Sequence, residues 1–374
     1  MNAKKLLIIL STTFLTVLLA LLIVINIEPT NTGSNKNTNA QPTPTPPTIQ
    51  KNQKTNYLSH GPAIAPYIYS DGTVKYLTKS GGNLFQSNLL GNNIAKISNA
   101  SLNDLTTATW SYNGQKIIAT FSERRDSIKY LFNYDTGETM PFSNNISKIT
   151  FSPNTDKIAY LTYDKINKSG GIFIANSDLS NAKKIFDTTI TDWQIAWPAK
   201  DIIIIITSPS GLAQGAVYGI NTQTGDYQIL LSDLYGLNTT LSPDGARLIY
   251  SYTDAQGKNL KTYSMNIDGS NKYALPFSTI SDKCIFSQDT RNIFCAVIKD
   301  IPPDSLLPDD YYQDAFKSRD DFVEYDLIKK ESSRILFADD YTTNFDASNL
   351  LLTPEEDYLI FINRQDGLLY SLKL

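Results

Sequence analysis

The chain has 374 residues, a formal net charge of −4 and a charged fraction of 19%, below the quarter or so usual for a soluble domain. No basic stripe runs along it, which excludes the electrostatic footprint of a nucleic-acid binder. One histidine and two cysteines exclude zinc sites built from those residues, and no cofactor or metal is expected.

At the N-terminus, Lys4 and Lys5 precede an uncharged run over residues 6–27. A helix of that length is about 33 Å long, enough to cross a bilayer core. A cleaved signal peptide, the alternative, carries a shorter apolar stretch and a small-x-small site, which residues 21–26 lack. The pattern predicts a transmembrane signal anchor over 1–28, with its positive end in the cytoplasm. The chain is then a single-pass protein of the cytoplasmic membrane, the rest lying outside.

Residues 29–56 are Asn, Thr, Pro, Gln and Lys with almost no apolar side chain. Such a segment cannot bury enough surface to offset its ordering entropy. It reads as a disordered linker, with residues 42–47 favouring extended polyproline II.

From residue 57 to the C-terminus a short phrase returns before each apolar run. Its clearest copy is Leu241-Ser242-Pro243-Asp244-Gly245-Ala246-Arg247-Leu248-Ile249-Tyr250. Equivalent serine positions are Ser111, Ser152, Trp197, Ser242, Ser287 and Thr353, so the steps are 41, 45, 45, 45 and 66. A worn first copy lies at Ser70-Asp71-Gly72. Within a copy, Ser-Pro-Asp-Gly is a turn between a short strand and a β-branched, aromatic one. Two further strands follow, the last an edge strand that tolerates Pro276. Residues 202–206 are five isoleucines, suited to a strand covered on both faces. No stretch shows a useful helical period. Repeats of this length made only of strands and turns point to radial blades. The expectation is all-β: a seven-bladed β-propeller of four-stranded antiparallel blades over 57–374, preceded by the transmembrane helix and the linker.

The phrase, followed by a basic residue and an apolar strand, resembles the repeat of TolB-like β-propellers, relatives of the WD-repeat blade, over about residues 60–374. The resemblance implies a closed ring of blades. TolB's extra N-terminal domain has no counterpart here, so no TolB-specific role is implied. The last unit has only three strands, and a propeller hides its edges. The segment at Ala63-Ile64-Ala65, or just before it, is expected to supply the fourth.

The turn at residues 288–291 places Cys284 opposite Cys295 on paired strands. They form either a cross-strand disulfide or two buried apolar thiols in contact.

The step of 66 exceeds the usual one by 21 residues, and the excess lies in residues 301–321, between a second and a third strand. Such loops share a face with the connections between blades, and long loops on rigid scaffolds are where binding concentrates. The insertion holds six aspartates with Tyr311, Tyr312 and Phe316. Asp309, Asp310, Tyr311, Tyr312 and Asp314 are the candidate binding residues for a basic protein or a glycan. Its carboxylates could also hold Ca²⁺, although the EF-hand Gly and Glu are missing. Alternatively it is a solvated acidic loop with Leu306, Leu307 and Phe316 packing on a neighbouring blade.

Catalytic residues are sparsely supplied. The lone His60 offers no Ser-His-Asp triad, and no Gly-x-Ser-x-Gly elbow occurs. The expected function is a non-enzymatic interaction module of the cell envelope that binds a protein or glycan and touches the membrane through its N-terminal helix. The alternative is a carboxylate-dependent glycan hydrolase or lyase at the channel mouth, which would need two carboxylates about 5–9.5 Å apart.

Overall fold

The computed structural model describes residues 54–123, 126–164 and 166–374. Strand β1 (Thr55–Tyr57) opens the described chain, and β2 (Ala63–Ile68), β3 (Val74–Thr78), β4 (Leu84–Ser87) and β5 (Ala95–Lys96) form one antiparallel sheet. Two more four-stranded sheets follow: β6 (Leu105–Trp110) to β9 (Thr139–Pro141) through β7 (Lys116–Glu123) and β8 (Asp126–Asn133), then β10 (Ile146–Phe151) to β13 (Lys183–Thr188) through β11 (Lys157–Asp164) and β12 (Ser169–Asn176). A seven-stranded sheet comes next: β14 (Trp193–Ala199), β15 (Ile202–Thr207), β16 (Gln214–Asn221), β17 (Tyr227–Leu241), β18 (Arg247–Thr253), β19 (Lys261–Asn266) and β20 (Tyr273–Ala274). Then β21 (Cys284–Phe286), β22 (Asn292–Lys299), β23 (Arg319–Asp326) and β24 (Glu331–Leu336) form a sheet. The last contains β25 (Ala347–Leu352), β26 (Tyr358–Asn363) and β27 (Leu369–Lys373).

The recurrent serine has a structural cause. The Ser242 hydroxyl donates to Asp244 (2.6 Å) and accepts from the Arg247 backbone N–H (2.9 Å). Ser287 makes the same pair of bonds with Asp289 and Asn292, and Ser111 does so with Asn113 and Lys116. Each hydroxyl is buried and closes the turn that joins a first to a second strand. Gly245 completes it at φ +70°, a conformation that costs glycine little.

The first strands form a ring. They touch in order from β2 through β6 and β10 to β14, and from β17 through β21 to β25, which returns to β2. The core lies between neighbouring sheets. Ala159, Leu161 and Ile172 of one sheet pack with Trp193, Ile203 and Ile205 of the next, and Ile203, Ile204 and Ile205 are fully buried. Val74 and Tyr76 of the first sheet pack with Ile360, Ile362 and Leu369 of the last. The ring is locked by β1, which pairs with β27 and gives the last sheet its fourth strand.

The fold is propeller-like, but two expectations need correction. Seven separate four-stranded blades were expected; among the described residues hydrogen bonding gives six sheets. The reason is β17, which runs 15 residues without a break. Its Tyr235 pairs with Gln214 through one edge and with Thr253 through the other, so the chain passes between units with no intervening loop. The expected transmembrane helix and single-pass placement are corrected as well: among the described residues no helix is long and apolar enough to cross a membrane. The run at 6–27 and the linker up to residue 53 lie outside the described residues.

Leu58 follows β1, is fully buried and donates its backbone N–H to the Leu369 carbonyl (2.6 Å). Leu58→Ala is expected to cost about 2–5 kcal/mol, read as a lower urea midpoint. An unchanged midpoint would mean that the ring does not depend on this closure.

Candidate functional site

The insertion leaves β22 and returns to β23. Strand direction alternates within a sheet, so this connection shares a face with the other second-to-third loops. Three of those hold it. Asp309 accepts from the Ser210 hydroxyl (3.0 Å) and the Gly211 N–H (2.6 Å) in the β15–β16 loop. In the β18–β19 loop, Lys258 donates to the Pro303 and Ser305 carbonyls, while Gly257 accepts from the Leu307 N–H. From the β26–β27 loop, Arg364 donates to Asp314 (2.6 Å) and to the Tyr311 carbonyl (2.7 Å), and its guanidinium stacks 3.8 Å from the Tyr311 ring centre.

Glycine provides the seats. A Cβ on Gly211 would lie 2.3 Å from the Leu307 carbonyl oxygen, and one on Gly257 would lie 2.3 Å from a Leu306 methyl. Leu307 and Tyr311 are buried with Ile280 and Ile298, flanked by Leu260, Ile301 and Phe316. A one-turn helix α1 (Asp309–Tyr312) forms within the insertion.

Beneath lies a buried ionic group. Lys283 immediately precedes β21, Asp346 immediately precedes β25, and Asp320 is in β23; they are 1%, 0% and 2% exposed. The Lys283 ammonium lies 2.8 Å from Asp346, 2.9 Å from Asp320 and 2.9 Å from the Tyr311 hydroxyl. Arg364 pairs with the other oxygen of Asp346 at 3.0 Å. Backbone N–H groups complete the set: Ser318 donates to Asp346 and Ala347 to Asp320. Burial alone would lower the Lys283 ammonium, but the charges of Asp320 and Asp346 outweigh it and hold it above the usual lysine range. Burial likewise opposes the ionised form of Asp346, yet Lys283 and Arg364 hold that carboxyl below the usual range. At Asp320 burial outweighs the single cation and pushes the carboxyl up. Burial also raises the Tyr311 hydroxyl.

The candidate binding residues are therefore largely occupied within the molecule. Asp309 fixes the Ser210–Gly211 loop, Asp310 accepts from the Leu306 N–H (2.8 Å), and Asp314 pairs with Lys317 and Arg364. Tyr311 is buried. Tyr312 donates its hydroxyl to Asp282 (2.7 Å) and accepts from Asn238, while its residue remains 44% exposed. Among the described residues no three His, Cys, Asp or Glu side chains gather as a metal-holding group, and His60 is exposed between β1 and β2. Cys284 and Cys295 are opposite one another and joined by a disulfide, with Cα atoms 4.1 Å apart. Sequence reasoning missed Lys283, Asp346 and Arg364. The available signal was Lys283 itself, a charge directly before the apolar first strand that begins at Cys284.

Comparisons with known proteins place the fold. No family model matches the chain, and no curated protein matches it. Among solved structures it is similar to oligogalacturonate lyase in complex with manganese (11% identity, 86% of this chain and 90% of that one, TM-score 0.55). It is similar to the β-propeller domain of the Trilobed protease from Pyrococcus furiosus (12%, 83% and 95%, 0.55). It also resembles the tricorn protease (11%, 87% of this chain, 0.53), of whose length it spans only 34%. The chain has a β-propeller fold. TolB from Acinetobacter baumannii has a TM-score of 0.41, which carries no argument, so the likeness is to propellers broadly.

Removing Lys283 leaves Asp320 buried without a cation and Asp346 with Arg364 alone. Lys283→Met is expected to cost about 3–5 kcal/mol, and adding Asp320→Asn should recover part of that in chemical denaturation. Lys283 and Tyr311 both have folded values above their unfolded ones, near 10.4 and 10. Their contribution is complete below those values and is lost as pH rises through and above them. Stability should fall from about pH 10 upward, and less steeply in Tyr311→Phe. An equal slope in that variant would contradict the assignment.

Proposed function

We propose that the chain is a non-enzymatic interaction module whose insertion-bearing face binds a protein partner. The observation that supports this is a set of exposed apolar side chains on the loops of that face. Ile166 in the β11–β12 loop is 92% exposed, Ile190 in the β13–β14 connection 44%, Leu212 in the β15–β16 loop 66%, and Tyr312 44%. Large side chains exposed on one face of a rigid scaffold are available to anchor a partner, and tyrosine is common among residues that dominate interface energy. The insertion's polar groups position two of them: Asp309 fixes the loop that carries Leu212, and Asp282 with Asn238 holds the Tyr312 ring.

Propellers include a lyase and proteases, so an enzymatic role has precedent on this fold, but fold does not carry function. Asp320 and Asp346 are two buried carboxylates that meet one lysine. Both face Lys283 beneath the insertion, an arrangement suited to holding strands together rather than to attacking a substrate.

Affinity capture from an extract of the source cells tests the proposal. Wild-type protein should recover a partner that the Ile166→Asp, Leu212→Asp double variant loses, while the variant's stability stays within about 0.5 kcal/mol per substitution. Identical recovery by both proteins would overturn it.

A further inference from the structure

The opposite face, formed by first-to-second and third-to-fourth turns, carries two clefts at equivalent places between neighbouring units. The first, about 420 Å³, is lined by Lys157, Lys183, Lys200, Asn176, Asn181 and Trp197 among others. The second, about 410 Å³, is lined by Arg247, Lys272, Lys330, Asn266, Asn271 and Tyr273 among others. Both volumes suit a small ligand. Neither lining includes an aspartate or a glutamate, although acidic residues outnumber basic ones in the chain, 37 to 33. None of the six cations is in an ion pair among the described residues.

The register makes the equivalence concrete. Lys157 at the start of β11 pairs with Asn176 at the end of β12, and Arg247 at the start of β18 pairs with Asn266 at the end of β19. Asn181 and Asn271 then take positive φ, 56° and 51°, in the matching third-to-fourth turns. The other units lack this combination. Lys116 also faces an asparagine, Asn133, but is neutralised by Asp156 at 2.6 Å. Val74, Ile202, Asn292 and Tyr358 occupy the position elsewhere.

We propose that these two clefts bind an acidic oligosaccharide, with one anionic sugar unit in each. Unpaired ammonium and guanidinium groups meet carboxylates or sulfates. Amides beside them match ring hydroxyls in both donor and acceptor sense. Trp197, 8% exposed, and Tyr273, with the Lys330 ammonium 4.4 Å over its ring, only border the clefts, so recognition rests on the cations and amides. Many phosphate sites use helix N-termini, and no helix borders either lining among the described residues. This surface is separate from the apolar face proposed for a protein partner, and neither reading depends on the other.

Titration calorimetry of the full-length chain tests it, with a short mannuronate oligomer, the corresponding neutral mannose oligomer, and inorganic phosphate as probes. The mannuronate oligomer should bind at both clefts and the mannose oligomer at neither. Lys157→Gln with Lys200→Gln should abolish one site, or weaken it at least about tenfold, and Arg247→Gln with Lys272→Gln the other. Phosphate should compete poorly. Absence of mannuronate binding, binding that survives both double variants, or phosphate that competes as well as the sugar would each overturn the proposal.

Discussion

The ammonium of Lys283 holds together three parts of the molecule that are far apart in the chain. It precedes one first strand, contacts the carboxylate that precedes the next, and reaches the hydroxyl of Tyr311 in the insertion. A lysine this deeply buried is tolerated only if its charge is matched and its donors are used. Asp320, Asp346, Tyr311 and the Ala347 carbonyl do both. The insertion is thus part of the ring: it closes the low-dielectric pocket in which the charges sit, and its own aromatic ring is held against Arg364.

That constraint changes the meaning of the acidic loop. Viewed as sequence, its aspartates are a solvated surface open to a partner. In the structure Asp309, Asp310 and Asp314 are engaged by the backbone, by neighbouring loops and by cations, and Tyr312 is the one large apolar side chain that the insertion leaves exposed among the described residues. In the proposed reading recognition falls to Leu212 and Tyr312, side chains whose positions the aspartates and their neighbours fix. A rigid presentation of few apolar anchors loses little conformational entropy on binding.

The repeat was highly legible because its cause is local. Each serine hydroxyl closes its own turn, so the phrase survives wherever that turn is needed, and strand order follows. The register of Cys284 with Cys295 could be counted from the same turn. The merging of two units through β17 was not legible, since continuous pairing of Tyr235 on both edges depends on how two sheets meet. Nor could Lys283 be paired with Asp346 across 63 positions, because that contact exists only after the ring has closed. The basic clefts were hidden for the same reason: Lys157 and Lys200 come from neighbouring units and read as scattered surface charges.

Hydrogen exchange across residues 305–318, compared in wild-type protein and Lys283→Met, tests the central claim most directly. If Lys283 holds the insertion to the ring, these amides in the wild-type protein are protected to a degree approaching that of β22. In the variant they lose protection while β22 keeps its own. Wild-type exchange as fast as that of an exposed loop would contradict the account.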